Sequence, residues 1–463
     1  MQQANVILVS IDTLRYDHLS CYGYNRMTTP NIDRFAEKGV LFTNAYSTAV
    51  WTPPAHASML TGLYPSQHGV INKNRLNNNI PTMAEILKNS GYQTAGFANN
   101  CQVGSLVGLD RGFDQFYEVW QGYRRNQIFK LGIEKIKSKL HYADKGAKRT
   151  IELISKWLLK ERKLDQPFYL FIHLIEPHNP LMAPKPFLYK YLDKIFSDKN
   201  NMKNVGEFAQ NPLVYYIKEL NLSDEENQAL IALYDEEISY TDHIMGQLIQ
   251  LFKKNKVFDN SFIIITADHG EHFGEHSLYS HVASLYEEIV HIPMILRYPG
   301  VDPSQSDFPV QLIDILPSVI EATNITYENY KVLPGKSFFN LQHENKSERC
   351  LFAEWEGRIP SFIEKKLEEK NKVIDLNYLK RKLEMIKCNN LKFIKSSDST
   401  EELYDLALDP DEKINLANEH VTIKKQLEKK LIHFKNSISS YAIDTQYVAD
   451  EVVIKNLEAL GYL

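Results

Sequence analysis

Short unbroken apolar runs alternate with amphipathic stretches along this chain, the pattern of an α/β protein built on a parallel sheet. Asn5–Ile11, Phe168–Leu174 and residues 262–267 lack polar alternation, as strands covered on both faces do. Helices are predicted between them from their punctuation. Thr29 and Pro30 open one that Gly39 closes, and Thr82 with Glu85 in capping-box spacing opens another over residues 81–89, stopped by Gly91. A helix is predicted to begin at Pro54 with Thr52 just ahead of it. It carries Ala55, Ala57, Ser58, Met59 and Leu60 and stops at Thr61-Gly62. A long helix starts at Ser223, with Glu226 completing a capping box. Leu230, Tyr234, Ile238, Met245, Ile249 and Phe252 keep its buried stripe, while Asp235, Glu236 and Glu237 are placed on its solvated face. Residues 185–222 are polar and irregular and read as an insertion at the rim of a site. After residue 330 the character changes. Residues 350–354 and 391–395 read as strands of a small, largely antiparallel sheet, the charged stretch 360–387 between them reads as helical, and an amphipathic helix spans 423–441.

Composition narrows this picture. The length of 463 residues fits one large unit, 1–330, followed by a smaller one, 331–463. The 53 basic and 58 acidic residues nearly cancel, so no basic surplus points to nucleic acid. Cys21, Cys101, Cys350 and Cys388 lie far apart without a CxxC pair, which argues against a disulfide framework or a structural zinc. The chain enters a strand almost at once and holds no apolar run of 18 residues, so a cytoplasmic protein without a membrane span is expected. The lysine-rich stretches 130–148 and 365–382 read as solvated helix faces rather than as membrane or glycan contacts.

The chemistry-bearing residues cluster where the predicted strands end. Ligands of open α/β sheets sit outside the carboxyl ends of the strands, and the first strand runs directly into Asp12. On local sequence Asp12 is equally a turn carboxylate. The second strand leads into Glu176-Pro177-His178-Asn179-Pro180, where His178 is either a substrate contact or an exposed loop histidine; His173, inside the strand, reads as core. The third strand runs into Asp268-His269-Gly270-Glu271, with His272, His276 and His281 close behind. The segment from His272 to His276 matches the HxxEH spacing of inverted zinc peptidases, but that motif needs a helix and Gly274 lies in the loop after a strand. Thr52 at a buried helix start is either a cap or a hydroxyl placed where unpaired N–H groups favour an oxyanion.

The stretch Thr52-Pro53-Pro54-Ala55-His56-Ala57-Ser58-Met59-Leu60-Thr61-Gly62-Leu63-Tyr64-Pro65 resembles the sulfatase family pattern Cys-x-Pro-Ser/Ala-Arg-x-x-Leu-Leu-Thr-Gly-x-Tyr-Pro, in the alkaline-phosphatase superfamily. Asp268-His269-Gly270-Glu271, Gly274-Glu275-His276, Leu285-Tyr286-Glu287-Glu288 and Ile292 to Arg297 resemble its second metal motif and following strand, and Glu402 to Leu406 its C-terminal subdomain. The resemblance implies a large, mostly parallel central sheet flanked by helices with a small C-terminal α+β subdomain. It also implies one divalent metal held by Asp12, Thr52, Asp268 and His269. Thr52 stands where the family's cysteine is oxidised to formylglycine, and His56 where its arginine would be. Threonine cannot form that aldehyde hydrate, so its hydroxyl must attack directly, as in the threonine branch resembling phosphoglycerol and phosphoethanolamine transferases and phosphonate monoester hydrolases. Calcium-dependent relatives resemble Asp-Asp near the first strand and Asp-Asn near the later one, and the second positions of those pairs are Thr13 and His269 here, which favours Mn²⁺ or Zn²⁺ over Mg²⁺ or Ca²⁺. His178 and His281 are the expected proton donors and, with His56, the expected substrate contacts; Asn72 and Asn99 are weaker candidates. The expected activity is hydrolysis or transfer of a phosphate-type ester of a small molecule, glycan or lipid: a phosphodiester, phosphomonoester or phosphonate. Sulfate-ester hydrolysis on the same fold is the alternative, and a catalytically silent binding protein the third reading.

Overall fold

Eight strands form the central sheet, because apolar runs this continuous need cover on both faces. The computed structural model describes residues 3–71, 74–122, 143–192, 203–218, 221–343, 345–358, 361–369, 376–441, 449 and 451–459. Asn72, most of the lysine-rich stretch 130–148, part of 365–382 and the last four residues lie outside the described residues. In chain order the strands are β1 (Asn5–Ile11), β2 (Val40–Phe42), β3 (Gln93–Ala98), β4 (Gln115–Glu118), β5 (Phe168–Leu174), β6 (Ser261–Ala267), β7 (Met294–Arg297) and β8 (Ser304–Ser306). Their order across the sheet is β8-β2-β7-β6-β1-β5-β3-β4, and β7 runs against both of its neighbours. The central strands β1, β5 and β6 are buried at every position. Ile11 pairs with Leu174 on one side and Ala267 on the other, so Asp12 and Asp268 leave the sheet side by side at its carboxyl edge.

Helices flank this sheet, chiefly α1 (Pro30–Ala36), α2 (Thr52–Thr61), α3 (Met83–Asn89), α4 (Ala147–Lys160), α5 (Asp224–Lys254) and α6 (Ile315–Thr323). The α2 helix begins two residues earlier than predicted, with Trp51 as its extended cap and Thr52 as its first helical residue. Pro53 and Pro54 do not delay it, since first-turn positions need no N–H partner. All ten of its residues are buried, and Gly62 closes it at a φ of 69°.

The α5 helix starts at the predicted Ser223–Glu226 capping box, but its acidic trio is buried rather than solvated. Asp235 accepts from Tyr24 and pairs with His18 and Arg26. Glu236 accepts the N–H groups of Tyr189, Tyr191 and Leu192, and Glu237 that of Met182 together with the Lys145 ammonium. The segment around residues 182–192 covers the middle of the helix, and the carboxylates satisfy backbone donors that burial would leave unpaired.

A second sheet contains β9 (Cys350–Trp355), β10 (Leu383–Cys388), β11 (Leu391–Ser396) and β12 (Glu401–Asp405), all antiparallel, with α7 (Val421–Ser437) packed on β10 and β11. Strand β10 falls in the stretch expected to be helical, of which Ser361–Glu369 is helix. Its alternation is masked by Lys387, which is buried with its ammonium donating to Asn44 Oδ1 and the Asn389 carbonyl. Pairing of β9 with β10 sets Cys350 opposite Cys388, and the two form a disulfide. This overturns the expectation of no disulfide, since the pairing depends on strand register and not on sequence spacing. The sheet docks beside the chain entering α2, where the Glu354 N–H donates to the Thr48 carbonyl. Among the described residues no helix is long and apolar enough to cross a membrane.

Candidate active site

The carboxyl edge of β6, β1 and β5 meets the first turn of α2, and the chemistry-bearing residues gather there. Asp12, Asp268 and His269 each present a ligand atom within 4.8 Å of the others. His269 Nδ1–H donates to the Gly270 carbonyl at 2.9 Å, which turns Nε2 inward. Nε2 then lies 3.3 Å from Asp268 Oδ2, 3.8 Å from Asp12 Oδ1 and 3.5 Å from the Thr52 hydroxyl. Thr52, at the N-terminus of a buried helix, also feels the partial positive charge of the first turn.

Each carboxylate is held by its other oxygen. Asp268 Oδ1 accepts the N–H groups of Thr13 (3.2 Å) and His269 (3.0 Å), while Asp12 Oδ2 accepts from Asn100 Nδ2 (3.3 Å) and lies 3.3 Å from His173 Nε2. Thr13 reaches its position at a φ of 55°, a strained value for a β-branched residue, with its carbonyl accepting from the Tyr234 hydroxyl. The inner oxygens, Asp12 Oδ1 and Asp268 Oδ2, accept no hydrogen bond among the described residues. Buried carboxylate oxygens without a donor cost several kcal/mol unless a cation meets them. Two carboxylates, a neutral imidazole and a hydroxyl form an oxygen-rich set suited to a divalent metal.

Electrostatics agrees with that fit. Burial and the neighbouring Asp12 push the Asp268 carboxyl well above the usual range. The same burial acts on Asp12, but His173, His178 and His269 together pull it below. Burial lowers His269 to about 3 and His281 to about 4 and lowers His178 as well, so each imidazolium is disfavoured until an anionic partner meets it.

The structure brings His178 and His281 to this site: their rings lie 5.3 Å apart, and His281 is 4.6 Å from the His269 ring. His178 Nδ1–H donates to the Asn179 carbonyl at 2.8 Å, and the Lys145 ammonium holds the carbonyl of His178. His56 lies beneath, fully buried, and burial lowers it to about 3. Its Nδ1–H donates to the Thr52 carbonyl (2.9 Å) and lies 3.5 Å from Asp268 Oδ2, and its Nε2 accepts from the Ser10 hydroxyl (3.0 Å). Asn99 donates to Thr150 Oγ1. Two neighbours were not foreseen as site residues. Asn100 follows β3, whose mixed run Gln93–Ala98 gives no buried-strand signal; His173 lies in a strand where a histidine reads as core. His272, in a two-residue strand, bonds to Ser284, and His276, in a short 3-10 turn at a φ of 52°, stacks on Tyr286, so the HxxEH spacing does not set the two histidines on one α-helix face.

Residues 4–325 match the family model for Sulfatase, and residues 274–437 match that of the N-sulphoglucosamine sulphohydrolase C-terminal region. An uncharacterized sulfatase of Escherichia coli K12 is 25% identical over 95% of this chain and 88% of its own length. Arylsulfatase K of Canis lupus familiaris is 25% identical over 97% of this chain and 85% of its own. The crystal structure of a phosphonate monoester hydrolase from Agrobacterium radiobacter superposes with a TM-score of 0.73 at 20% identity, covering 94% of this chain and 96% of that one.

Proposed function

Because this chain belongs to the sulfatase family, we propose that it hydrolyses a sulfate monoester of a small molecule or glycan, with Thr52 as nucleophile. The observation that carries the reading is the convergence of the Thr52 hydroxyl with Asp12, Asp268 and His269 around two carboxylate oxygens that accept no hydrogen bond among the described residues. Asp12, Asp268, His269 and Thr52 would hold one divalent ion, Mn²⁺ or Zn²⁺ by their donor types. When bound, the ion supplies Lewis-acid charge that lowers the pKa of the threonine hydroxyl and offsets negative charge on the ester.

The Thr52 hydroxyl releases its proton to solvent before the ester binds, and its oxygen attacks the sulfur in line. A new S–O bond forms, the bond to the leaving oxygen breaks, and the electron pair stays on that oxygen. His281 or His178 gives it a proton. The same histidine then takes a proton from water, which attacks the sulfur and releases Thr52. His56 holds the first turn of α2 through the Thr52 carbonyl, so the nucleophile enters the attack already oriented. The boundary between the catalytic unit and its C-terminal subdomain falls near residue 330, ahead of the second sheet.

A second reading, cleavage of a phosphate-type ester such as a phosphodiester or phosphonate, is favoured by Thr52 itself. The residue cannot become the aldehyde that a family cysteine provides, and direct attack by a hydroxyl suits phosphoryl transfer equally well. The sulfate reading stands first because the matched family and the curated relatives above carry that name. Steady-state assays of the metal-loaded protein with matched aryl sulfate, phosphodiester and phosphonate substrates decide between them. Sulfate turnover above the other two supports the first reading; turnover confined to phosphorus esters replaces it with the second.

A further inference from the structure

We infer that Glu271 positions His281 for proton exchange, forming a carboxylate–imidazole pair behind the leaving group; the inference rests on the proton-donor role proposed above for His281. Pairing in a short ribbon creates the contact. His272–Phe273 runs antiparallel to Tyr279–Ser280 with His272 opposite Ser280, so Glu271 and His281 are the next pair across. His281 Nδ1 lies 3.2 Å from Glu271 Oε2 and 3.4 Å from Oε1, and both side chains are 6% exposed.

The Glu271 end is fixed by its surroundings. Its carbonyl accepts from Arg15 Nη1 at 3.0 Å, and Arg15 is itself clamped by Asp17 and Glu275. The preceding Gly270 donates to the Ile289 carbonyl and packs so closely that a Cβ there would lie 1.9 Å from the Glu288 carbonyl oxygen. On the His281 end, Ser280 (φ 65°) and Ala283 (φ 53°) hold left-handed backbone, a cost usually met where a side chain must be aimed. With Nδ1 facing Glu271, Nε2 lies on the far edge of the ring. A carboxylate behind an imidazole fixes its tautomer and stabilises the imidazolium. In the proposed step the Glu271–His281 pair starts with one proton more than a carboxylate and a neutral imidazole; the Nε2–H bond breaks and its proton passes to the leaving oxygen as the ester bond to that oxygen breaks, and the remaining proton stays on Nδ1, leaving a neutral imidazole against the Glu271 carboxylate.

The metal-loaded wild type, Glu271→Ala, Glu271→Gln, His281→Ala and the Glu271→Ala/His281→Ala double variant are compared on two esters of one oxyacid. One has a nitrophenol leaving group, which needs no proton, and the other an alkyl alcohol, which does. General acids contribute about 10²–10⁴-fold. His281→Ala is therefore expected to lose about 100-fold or more in kcat on the alkyl ester and much less on the nitrophenyl ester. Glu271→Ala should show the same selectivity at about 10-fold or more, Glu271→Gln, which keeps an acceptor for Nδ1–H, should lose less, and the double variant should match His281→Ala. Equal losses on both esters for Glu271→Ala, or additive losses in the double variant, would overturn the pairing while leaving the role of His281 intact. Absence of leaving-group selectivity in His281→Ala would remove the proton donor, and the Glu271 assignment with it.

Discussion

Replacing Asp268 by asparagine should make the metal-free protein more stable and remove most of the stabilisation that metal brings, a combination that an ordinary core polar group would not show. The ligand atoms of Asp12 and Asp268 lie within 4.8 Å of each other, fully buried, and the facing oxygens have no donor among the described residues. At an effective dielectric of about 20, two charges at that separation repel by roughly 3 kcal/mol. Part of this is relieved in the free protein by protonation, since the Asp268 carboxyl is pushed well above its ordinary value by burial and by Asp12. A folded-state pKa that is raised means stability is full at acid pH and is lost as pH rises. The advantage of Asp268→Asn should therefore grow above about pH 4. Unfolding entropy of about 2.1 cal/mol/K per residue gives a chain of 463 residues about 1 kcal/mol per degree, so the metal-free variant should melt about 1–3 °C above wild type. Metal at about 100 times its Kd stabilises by roughly 2.7 kcal/mol, so wild type should gain about 3 °C on adding Mn²⁺ or Zn²⁺ and the variant less than about 1 °C. Scanning calorimetry with and without chelator reads both numbers. A metal-free variant that melts lower yet keeps the full metal response would refute the reasoning.

Three further outcomes follow from other parts of the fold. Glu354 is pushed up to about 7 by burial, offset by the Ser66 hydroxyl donating to it at 2.7 Å, so wild-type stability should fall between about pH 4.5 and 7. Glu354→Gln should remove up to about 3 kcal/mol of that decline in pH-dependent denaturant melts, and an unchanged slope would contradict it. Gly270→Ala should lose activity through displacement of the Asp268–Glu271 turn, because its Cβ would meet the Glu288 carbonyl oxygen at 1.9 Å; wild-type kcat in the variant would sink that expectation. Alkylation of the unreduced, denatured protein followed by mass mapping should label Cys21 and Cys101 and spare Cys350 and Cys388, whereas labelling of all four would deny the bridge.

The sheet was legible because its central strands are written as unbroken apolar runs, and Asp12 and Asp268 are visible as the polar residues at which β1 and β6 stop. The start of α2 was legible to within two residues, since Pro53-Pro54 and Gly62 mark its ends through backbone sterics alone. Asn100 and His173 were not, because their meaning depends on β3 and β5 lying next to each other, with Asn100 and His173 both meeting Asp12. Asp235, Glu236 and Glu237 follow one another on a helix whose periodicity says nothing about the irregular segment that covers it. Lys387 and Lys392 are buried in β10 and β11, Lys392 between Glu287 and Glu412, so the second sheet lacks the clean alternation that reveals an antiparallel strand.

The central claim is that the Thr52 hydroxyl is the group that bonds to the ester's central atom. Rapid quenching of the metal-loaded protein during turnover of a nitrophenyl ester, followed by high-resolution mapping of the α2 peptide, tests it directly. One sulfuryl or phosphoryl group on Thr52, absent when metal is withheld, is the predicted result. The same group found on another residue, or full turnover by Thr52→Ala, would contradict the account.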